Sequence, residues 1–386
     1  MASVHGESGR DPRPGEAPRP AAPIERYIGL MSGTSTDGVD GVLAEFDETS
    51  IRIAAAASLP LPPALRGALL ALNATGADEL ARAALAANEL ADCYAQAVER
   101  LLARSGLTPS QVRAIGAHGQ TVRHVPEAGY TLQVNAPARL AERTGIAVVA
   151  DFRSRDVAAG GQGAPLVPAF HAAWFGKQPG RVVLNLGGIA NVTILGELVR
   201  GFDTGPANML MDAWAQRHLG QPYDRDGAWA ASGRCHEGLL ARLRAEPWFD
   251  LPPPKSTGRD LFGPGWLQAR LDETPGGSTL APADVQATLL RLSALTIAEA
   301  IARHAPCTRE VLACGGGALN TALMTALAEA LPCRLATTAE HGMPVQSVEA
   351  LAFAWLARAH IHGQAACLPA VTGARHATIA GCLYPA

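Results

Sequence analysis

Apolar residues in this chain form short extended runs and longer helical repeats, in an order that occurs twice. In the first copy, extended runs at 27–32, 41–46 and 51–59 follow one another closely, with Gly, Asp and Ser between them. Such runs predict an antiparallel meander. A repeat with apolar residues at steps of three and four then predicts a long helix at 78–105. Shorter strands are predicted next at 113–117, 130–134 and 146–151, with a helix at 137–144.

The second half of the chain repeats this order. Three close strands are again predicted first, at 182–186, 190–195 and 198–202, and helices and strands then alternate to 361. Two copies of the same element order predict two related α/β domains that face each other. The later elements are helices at 207–219, 283–304, 320–331 and 346–361 and strands at 311–314 and 334–337.

These elements divide the chain into three parts. Residues 1–25 are rich in Pro and Gly and poor in large apolar residues, so we expect a disordered arm. We expect a first domain at 26–155 and a second at 156–361, the latter with a helical insertion near 220–282. The last residues, 362–386, are expected to pack back on the first domain.

Composition narrows the function classes. The 386 residues carry a formal net charge of -3 and the pI is near 6.4, which disfavours binding to nucleic acid. No apolar run reaches the length of a membrane span, and the first residues hold no secretion signal. Seven dispersed cysteines without a CxxC pair indicate reduced thiols. We therefore predict a cytoplasmic protein that neither enters a membrane nor reads nucleic acid.

A turn dense in Gly, hydroxyls and carboxylates follows the first strand. Glycines allow close approach of a backbone to a polyanion, hydroxyls donate to phosphate oxygens, and Asp holds the cation that phosphates bring. These residues favour a phosphate site over an ordinary hairpin turn, although they match neither Walker A nor GxGxxG. The residues of this turn predicted to bind ATP are Gly33, Thr34, Ser35, Thr36, Asp37, Gly38, Val39 and Asp40, with Asp37 and Asp40 also predicted to hold a metal ion.

Two more Gly-rich turns follow strands in the second half. Gly187 and Gly188 form a hairpin that alone indicates only a structural turn, but opposite the first hairpin it is a second candidate phosphate clamp. Gly315, Gly316 and Gly317 join a strand to a helix, which suits either adenine or ribose packing or a tight structural turn.

Asp203 ends a predicted strand, before Thr-Gly-Pro. In that position an aspartate often caps the following helix. A carboxylate at the end of a strand beside a Gly-rich clamp is also where a general base for attack on a phosphate or an acetal would lie. Local sequence leaves both interpretations open.

Polar turns in or after the first half suit a polyhydroxylated ligand. The candidates are His118, Gln120, Thr121, Gly161 and Gln162, although His118 is equally compatible with a satisfied buried histidine. Two charge clusters in the insertion, at 224–227 and 255–259, indicate solvated loops when taken alone.

Together these motifs resemble the anhydro-N-acetylmuramic acid kinase family over about residues 27–385. The stretches that carry the resemblance are Gly29 to Asp40, His118-Gly-Gln-Thr, Ala150-Asp-Phe-Arg with Ala158-Ala-Gly-Gly-Gln-Gly-Ala-Pro-Leu, Gly201-Phe-Asp-Thr-Gly-Pro, Asp224-Arg-Asp-Gly, Lys255-Ser-Thr-Gly-Arg and Cys314-Gly-Gly-Gly.

The resemblance implies two RNase H-like domains of the actin-like ATPase type, flanking a nucleotide cleft that closes on ATP and Mg²⁺. It implies a phosphotransferase that uses ATP and water to open the 1,6-anhydro ring of an amino sugar and phosphorylate O6, giving N-acetylmuramic acid 6-phosphate in peptidoglycan recycling. Asp203 matches the family's catalytic aspartate, and Glu349 is a candidate auxiliary carboxylate, though a Glu in a first helical turn is often only a dipole partner. A homodimer is compatible with the resemblance.

The chain departs from the family pattern at four positions. Thr36 stands where Leu is common, and Ala207 where Gly is common; Ala207 is strained if that position needs a positive φ. Asn135 and Ala136 replace the usual Gly and Asp or Asn, so any sugar contact from the family's Asp or Asn is absent at Ala136, and the prediction of substrate preference is weakened most.

Two alternatives stay open at this point. A different sugar or carboxylate kinase of the same superfamily would keep the hairpins but need other polar groups in the first-domain turns. A nucleotide-gated clamp of the chaperone or actin type would hydrolyse ATP slowly and without sugar.

Overall fold

The computed structural model describes residues 23–33, 36, 38–48, 50–258 and 261–386. Residues 1–22 of the predicted N-terminal arm therefore lie outside the described residues. Its last residue, Glu25, begins the first strand.

The described residues form a six-stranded sheet, a five-stranded sheet and a two-stranded ribbon. The strands are β1 (Glu25–Met31), β2 (Gly38–Phe46), β3 (Ile51–Pro60), β4 (Ala114–Ala117), β5 (Gln120–Val125), β6 (Tyr130–Val134), β7 (Val148–Ala150), β8 (Arg181–Leu186), β9 (Ile189–Ile194), β10 (Arg200–Pro206), β11 (Glu310–Cys314), β12 (Arg334–Thr337) and β13 (Cys382–Tyr384).

Helices cover these sheets. They are α1 (Pro63–Ala71), α2 (Glu79–Ser105), α3 (Pro137–Thr144), α4 (Ser154–Ala158), α5 (Pro168–Phe175), α6 (Met209–Leu219), α7 (Ala228–Ser232), α8 (Glu237–Arg244), α9 (Pro264–Glu273), α10 (Pro282–His304), α11 (Thr321–Ala330), α12 (Val348–Ile361) and α13 (Pro369–Thr372).

The two sheets share one topology, which confirms the predicted duplication and the predicted fold class. The first sheet has the order β13-β7-β4-β1-β2-β3 and the second has the order β10-β9-β8-β11-β12. In both, an antiparallel meander is followed by two parallel strands. This order, three strands of meander and then two parallel ones on the far side of the first strand, is that of the RNase H-like fold. The last strand, β13, adds antiparallel to β7 at the edge of the first sheet.

Amphipathic patterns explain how the helices pack. On α2, the buried residues Leu90, Tyr94, Val98 and Leu101 recur every three or four positions and contact the first sheet. Helix α10 is long and apolar enough to cross a membrane by length and composition, and 67% of its most apolar window is buried. Such burial is that of a core helix, and its apolar residues pack in the core of the second sheet.

Helix α12 packs on the first sheet, against β1, β2 and β4, although the sequence analysis assigned its residues to the second domain. The core around it contains side chains from both sheets, including Tyr27 of β1, Val183 of β8 and Leu312 of β11. The last long helix thereby joins the two units, and its first turn lies where the ends of both sheets meet.

Candidate active site

Two glycines let helix α12 lie directly on the first sheet. A Cβ at Gly29 would come within 1.8 Å of the carbonyl oxygen of Ala350, and a Cβ at Gly116 within 2.1 Å of that of Phe353. Side chains do not approach backbone oxygens so closely, so this packing requires glycine. It holds the first turn of α12, and with it Glu349, against the ends of the central strands.

Asp203 lies on β10 beside an irregularity in the strand. The pairing of β10 with β9 shifts register between Asp203 and Gly205, and Gly205 has a φ of +135°. Such bulges re-aim a side chain. The Asp203 carboxylate is buried, and Thr257 donates its backbone N–H to Oδ2 at 2.9 Å. Asn208, not Asp203, stands at the N-cap position of α6, so the alternative interpretation of Asp203 as a helix cap is wrong.

The pKa of Asp203 is matched to work as a base at neutral pH. Burial raises the pKa from 3.8 to about 7, against the lowering effects of the Thr257 N–H, Arg153 and Lys255. A general base is most effective when its pKa lies near the working pH. Among the described residues, none donates a hydrogen bond to Oδ1, which leaves that oxygen for a water or a hydroxyl.

Glu349 is the second carboxylate of the cluster, and its residue is partly exposed. Asn185, at the end of β8, donates its side-chain amide to Oε1 of Glu349 at 3.3 Å. Burial raises the pKa of Glu349, while Asn185 and Arg153 lower it and Asp40 raises it. Glu349 therefore lies within electrostatic reach of both the first hairpin and the Arg153 guanidinium.

Arg153 and His118 connect the first half of the chain to this cluster. Arg153 donates from Nε and Nη2 to Nε2 of His118, at 3.1 and 2.9 Å, and from Nη1 to the Gly163 carbonyl at 2.7 Å. Because a guanidinium only donates, Nε2 must accept, so Nδ1 carries the proton and donates to the Gly119 carbonyl at 2.9 Å. Burial and Arg153 hold the pKa of His118 well below its usual value. His118 is thus a neutral acceptor that orients Arg153.

Arg153 was not among the site residues predicted from the sequence. The signal that could have found it is its position just after strand β7, in the stretch Ala150-Asp-Phe-Arg. Polar residues at the carboxyl ends of parallel strands converge on one edge of a sheet.

The first hairpin is partly described. Thr34, Ser35 and Asp37 lie outside the described residues. Thr36 has a φ of +53° and donates its N–H to the Gly33 carbonyl at 3.0 Å. The side chain of Val39 is buried in the core, so only its backbone is available to a ligand. Asp40 lies at the exposed end of β2, opposite Met31.

Thr36 is a strained choice at this position. A left-handed φ is rare for a β-branched residue and costs on the order of 1 kcal/mol or more. The departure from the family pattern at Thr36 therefore falls where the hairpin turns. Beneath it, Ser32 donates its hydroxyl to Oε1 of Gln120 at 2.6 Å, and both side chains are buried.

The second and third Gly-rich turns pack against each other. Asn208 donates from Nδ2 to the carbonyls of Leu186 and Gly187 at 3.0 and 2.9 Å, and a Cβ at Gly317 would come within 2.7 Å of that same nitrogen. Gly315 has a φ of +83°, whereas a Cβ at Gly316 would face open space. Gly316 is therefore the position of this turn that leaves room for a ligand.

The helix after the second turn also holds it in place. The N–H groups of Ala207 and Met209 both donate to the Gly188 carbonyl, at 2.9 and 3.1 Å. Ala207 does not have a positive φ, so alanine at this departure from the family pattern imposes no left-handed strain.

The Gly161–Gln162 turn faces the segment that holds Asp203. Ser256 donates its hydroxyl to Oε1 of Gln162 at 3.2 Å, next to Thr257, which binds Asp203. The structure therefore brings the first-half turn and the insertion together.

Thr121 and its neighbours Gln133 and Asn135 form their side-chain hydrogen bonds within the β5–β6 ribbon or to strand β4, away from Asp203. The side-chain amide of Gln133 donates to Oγ1 of Thr121 at 3.2 Å, and that of Asn135 donates to the Ala117 carbonyl at 3.1 Å. Ala136 stands just before helix α3. These residues hold the β5–β6 ribbon in its present shape.

The two charge clusters of the insertion are not simply solvated loops. Asp224 is buried and accepts the backbone N–H groups of Trp229 and Ala230 at 2.9 and 2.8 Å. Lys255 is buried too, donates to the Phe249 carbonyl at 2.8 Å, and has a pKa lowered by burial to about 8.

Asp224→Ala is expected to lower the free energy of unfolding by about 2 kcal/mol, because two buried backbone N–H groups lose their acceptor. Denaturant unfolding measures this, and Asp224→Asn, which keeps one acceptor oxygen, should lose about half as much. If the unfolding curves of Asp224→Ala match those of the unmodified protein, the carboxylate does not stabilise helix α7, which contains Trp229 and Ala230.

A cavity of about 420 Å³ opens beside β10, between α8 and α10. Thr204 and Lys255 line it, but Asp203, Arg153 and Glu349 do not. The polar cluster is therefore distinct from this cavity.

Comparisons with known proteins agree on one family. A family model described as anhydro-N-acetylmuramic acid kinase matches residues 25–386. Proteins named anhydro-N-acetylmuramic acid kinase are 62% identical in Bordetella parapertussis, over 96% of this chain and 98% of that protein, and 55% identical in Variovorax paradoxus, over 94% and 99%.

Solved structures show more distant likeness. The activator of the 2-hydroxyisocaproyl-CoA dehydratase from Clostridium difficile with bound ADPNP has a TM-score of 0.46 at 12% identity, covering 85% of this chain and 92% of that one. The ROK hexokinase from Thermus thermophilus has a TM-score of 0.37 at 17% identity, covering 86% and 99%.

Proposed function

The chain belongs to the anhydro-N-acetylmuramic acid kinase family, and from this premise we propose how its residues carry out the reaction. It is a kinase of an anhydro amino sugar, with a role in cell-wall recycling, as the sequence analysis predicted. The observation that carries the proposed mechanism is the buried Asp203, with a pKa near neutrality, which accepts the Thr257 N–H and lies within electrostatic reach of Arg153.

We propose that ATP binds between the three Gly-rich turns. The phosphates would lie against the first hairpin, Gly33 to Asp40, and against Gly187 and Gly188. The nucleoside would lie near the open side of the Gly315 to Gly317 turn at Gly316, where no protein atom would crowd a Cβ. Backbone N–H groups in such turns suit phosphate oxygens.

Mg²⁺ fits the donor set of this site. Within the described residues no group of three or more His, Cys, Asp or Glu side chains could hold a metal ion by itself. Mg²⁺ at a phosphate site usually takes one or two carboxylates and completes its shell with phosphates and waters. Asp40 is the described carboxylate we assign to it, together with Asp37, which lies outside the described residues. The ion would neutralise charge on the transferring phosphoryl group.

Asp203 is proposed to start the reaction as a general base. It takes a proton from a water, whose oxygen attacks the anomeric carbon of the sugar, and the bond from that carbon to O6 breaks. O6 then attacks the γ-phosphorus of ATP, and ADP leaves. Because phosphate captures the departing O6, no dedicated acid is needed, and one carboxylate couples ring opening to phosphoryl transfer.

The remaining site residues are proposed to bind and orient the sugar. Gln120, Gly161 and Gln162 are assigned to the sugar, with Gln162 next to the segment that holds Asp203, and Thr121 would act from the ribbon. His118 would act on the sugar through Arg153, whose guanidinium it orients. Glu349 is proposed as an auxiliary carboxylate that stabilises positive charge at the anomeric carbon.

The setting of the enzyme is also a proposal. We propose two functional units, one built on the sheet within 26–155 and one on the sheet within 156–361, with helix α12 and residues 362–386 packed on the first. All seven cysteines are unpaired, which supports the cytoplasm as the compartment. A homodimer, and the absence of nucleic-acid and membrane partners, stay predictions.

The first experiment is coupled ATP turnover by the purified protein with magnesium and either no sugar, anhydro-N-acetylmuramic acid or N-acetylmuramic acid. ADP release should require the anhydro sugar and yield its 6-phosphate. Because Asp203 must be deprotonated, kcat/KM should rise with pH through about 7. Turnover indifferent to sugar would favour a nucleotide-gated clamp, and turnover with another sugar acid would favour a different kinase.

A further inference from the structure

The loop at 160–163, which the proposed function assigns to sugar binding, is held in place by groups outside it. Gly163 donates its N–H to Oδ2 of Asp156 at 2.8 Å, and Gln162 donates its N–H to the carbonyl of Thr372 at 2.7 Å. Asp156 lies on the short helix α4 just before the loop, whereas Thr372 lies near the end of the chain. The loop is therefore fixed from both sides.

A buried hydrogen bond joins these two groups to each other. The Thr372 hydroxyl donates to Oδ1 of Asp156 at 2.8 Å, between residues 216 positions apart in the sequence. Asp156 is 0% exposed and Thr372 1% exposed. A carboxylate buried to this extent is costly unless its oxygens accept hydrogen bonds. Oδ2 of Asp156 accepts from Gly163 in the loop, and Oδ1 accepts from Thr372 near the end of the chain. The carboxylate therefore connects the two segments.

We call residues 369–375 the C-terminal turn, and the glycines of the loop fit against it. A Cβ at Gly161 would come within 2.2 Å of Oδ2 of Asp156 and 2.9 Å of the Cβ of Ala374. A Cβ at Gly160 would come within 2.8 Å of Nη1 of Arg375. These two glycines therefore permit contact with the carboxylate and the C-terminal turn, not only close approach of a ligand.

The C-terminal turn also reaches the segment that holds Asp203. Arg375 donates its N–H to the Ala159 carbonyl at 3.0 Å on the loop side. On the other side, a Cβ at Gly373 would come within 3.0 Å of Pro254, which precedes Lys255. The carbonyl of Lys255 accepts the N–H of Asp203 at 3.1 Å. The C-terminal turn therefore contacts both the loop side and the segment whose Lys255 carbonyl binds the backbone of Asp203.

We propose that Asp156 and Thr372 are positioning residues for the sugar, and that the C-terminal turn sets the loop carrying Gln162 against the segment that holds Asp203. The proposal rests on the proposed function, since it assigns the loop to the sugar. It adds a part of the chain remote in sequence to the binding of that substrate. Neither side chain contacts the sugar, and each acts through the backbone of the loop.

The test is Thr372→Val, which keeps the shape of the side chain and removes the hydroxyl. We expect KM for the anhydro sugar to rise about tenfold, because small displacements of positioning groups weaken oriented binding. KM for ATP and the pH of the acid limb of kcat/KM should stay unchanged, since neither the Gly-rich turns nor Asp203 is altered. Thr372→Ser restores the hydroxyl and should restore KM. Thr325→Val, on the exposed face of α11, is the matched control.

Arg375→Ala provides a second variant that keeps the core intact, because Arg375 is exposed. It loses the side-chain bond to the Ala158 carbonyl and should raise KM for the sugar by a smaller factor. If both variants lower only thermal stability, or raise KM for ATP and sugar equally, the positioning role is refuted. Absence of sugar-dependent turnover in the unmodified protein would refute the proposed function instead, so the two failures are distinguishable.

Discussion

Replacing Asp203 with asparagine is expected to abolish sugar-dependent ATP consumption and at the same time to stabilise the protein. The loss follows because asparagine cannot take a proton from water, and a positioned base contributes about 10²- to 10⁴-fold to rate. The gain in stability follows from the burial that raises the pKa of Asp203 from 3.8 to about 7. Kinetics and thermal unfolding of one variant therefore test both statements.

The sign of the stability effect depends on pH. A carboxyl with a raised pKa binds its proton more tightly in the folded state, so its stabilising contribution is present below pH 4 and is lost as pH rises through about 7. Above pH 7 the buried charge costs up to about 4 kcal/mol, which Asp203→Asn removes. The Tm of the variant should exceed that of the unmodified protein by a few degrees at pH 8, with the difference shrinking toward pH 5.

Asp272→Asn is the matched control, because Asp272 is exposed on α9 and remote from the cluster in its contacts. It should change neither turnover nor Tm. An Asp203→Asn variant that keeps its turnover would exclude Asp203 as the base. One that is inactive but no more stable at pH 8 would show that the carboxylate is better solvated than its burial indicates.

Replacing Arg153 with glutamine is expected to move the acid limb of kcat/KM to higher pH and to lower activity at pH 7 at least tenfold. The Arg153 charge lowers the pKa of both Asp203 and Glu349. Without that charge, fewer groups oppose the effect of burial, so the pKa of Asp203 rises. A smaller fraction of its carboxyl is then deprotonated at neutral pH. A pH profile of kcat/KM between pH 5 and 9 measures the shift.

Variants at the same position separate charge from geometry. Arg153→Lys keeps the charge but not the fork that binds His118 and Gly163, so its acid limb should stay near that of the unmodified protein while KM for the sugar rises. Arg217→Gln, on the exposed side of α6, is the control. If Arg153→Gln lowers kcat with no movement of the acid limb, Arg153 acts only by holding the loop.

Local sequence patterns predicted most of the regular structure. The two meanders and the long helices α2 and α10 were predicted within a few residues of their observed bounds. An element buried on one face has apolar residues that recur with its own period, and this repeat is visible in a short stretch of sequence. Helix α1 and strand β5 were not predicted, and the insertion near 220–282 was predicted to be helical without bounds for its short helices. These elements are short or partly exposed, so tertiary contacts rather than periodicity stabilise them.

The motifs also identified the family and a candidate base. Asp203, the three Gly-rich turns and the ordered stretches around them are contiguous in sequence, so their chemistry can be recognised before folding is known. Family membership and the kinase activity are confirmed by the relatives. The individual binding roles of these residues stay predictions for the experiments above.

The sequence by itself thus determined the element order, the duplicated α/β architecture, the kinase family and the identity of the candidate base. The tertiary structure alone decided that α12 lies on the first sheet, that Arg153 binds His118, and that Thr372 binds Asp156. Each of these pairs residues far apart in the chain, and a window of local periodicity carries no information about such contacts. The pKa of Asp203 belongs to the same class, because burial and distant charges set it, and both exist only once the chain has folded.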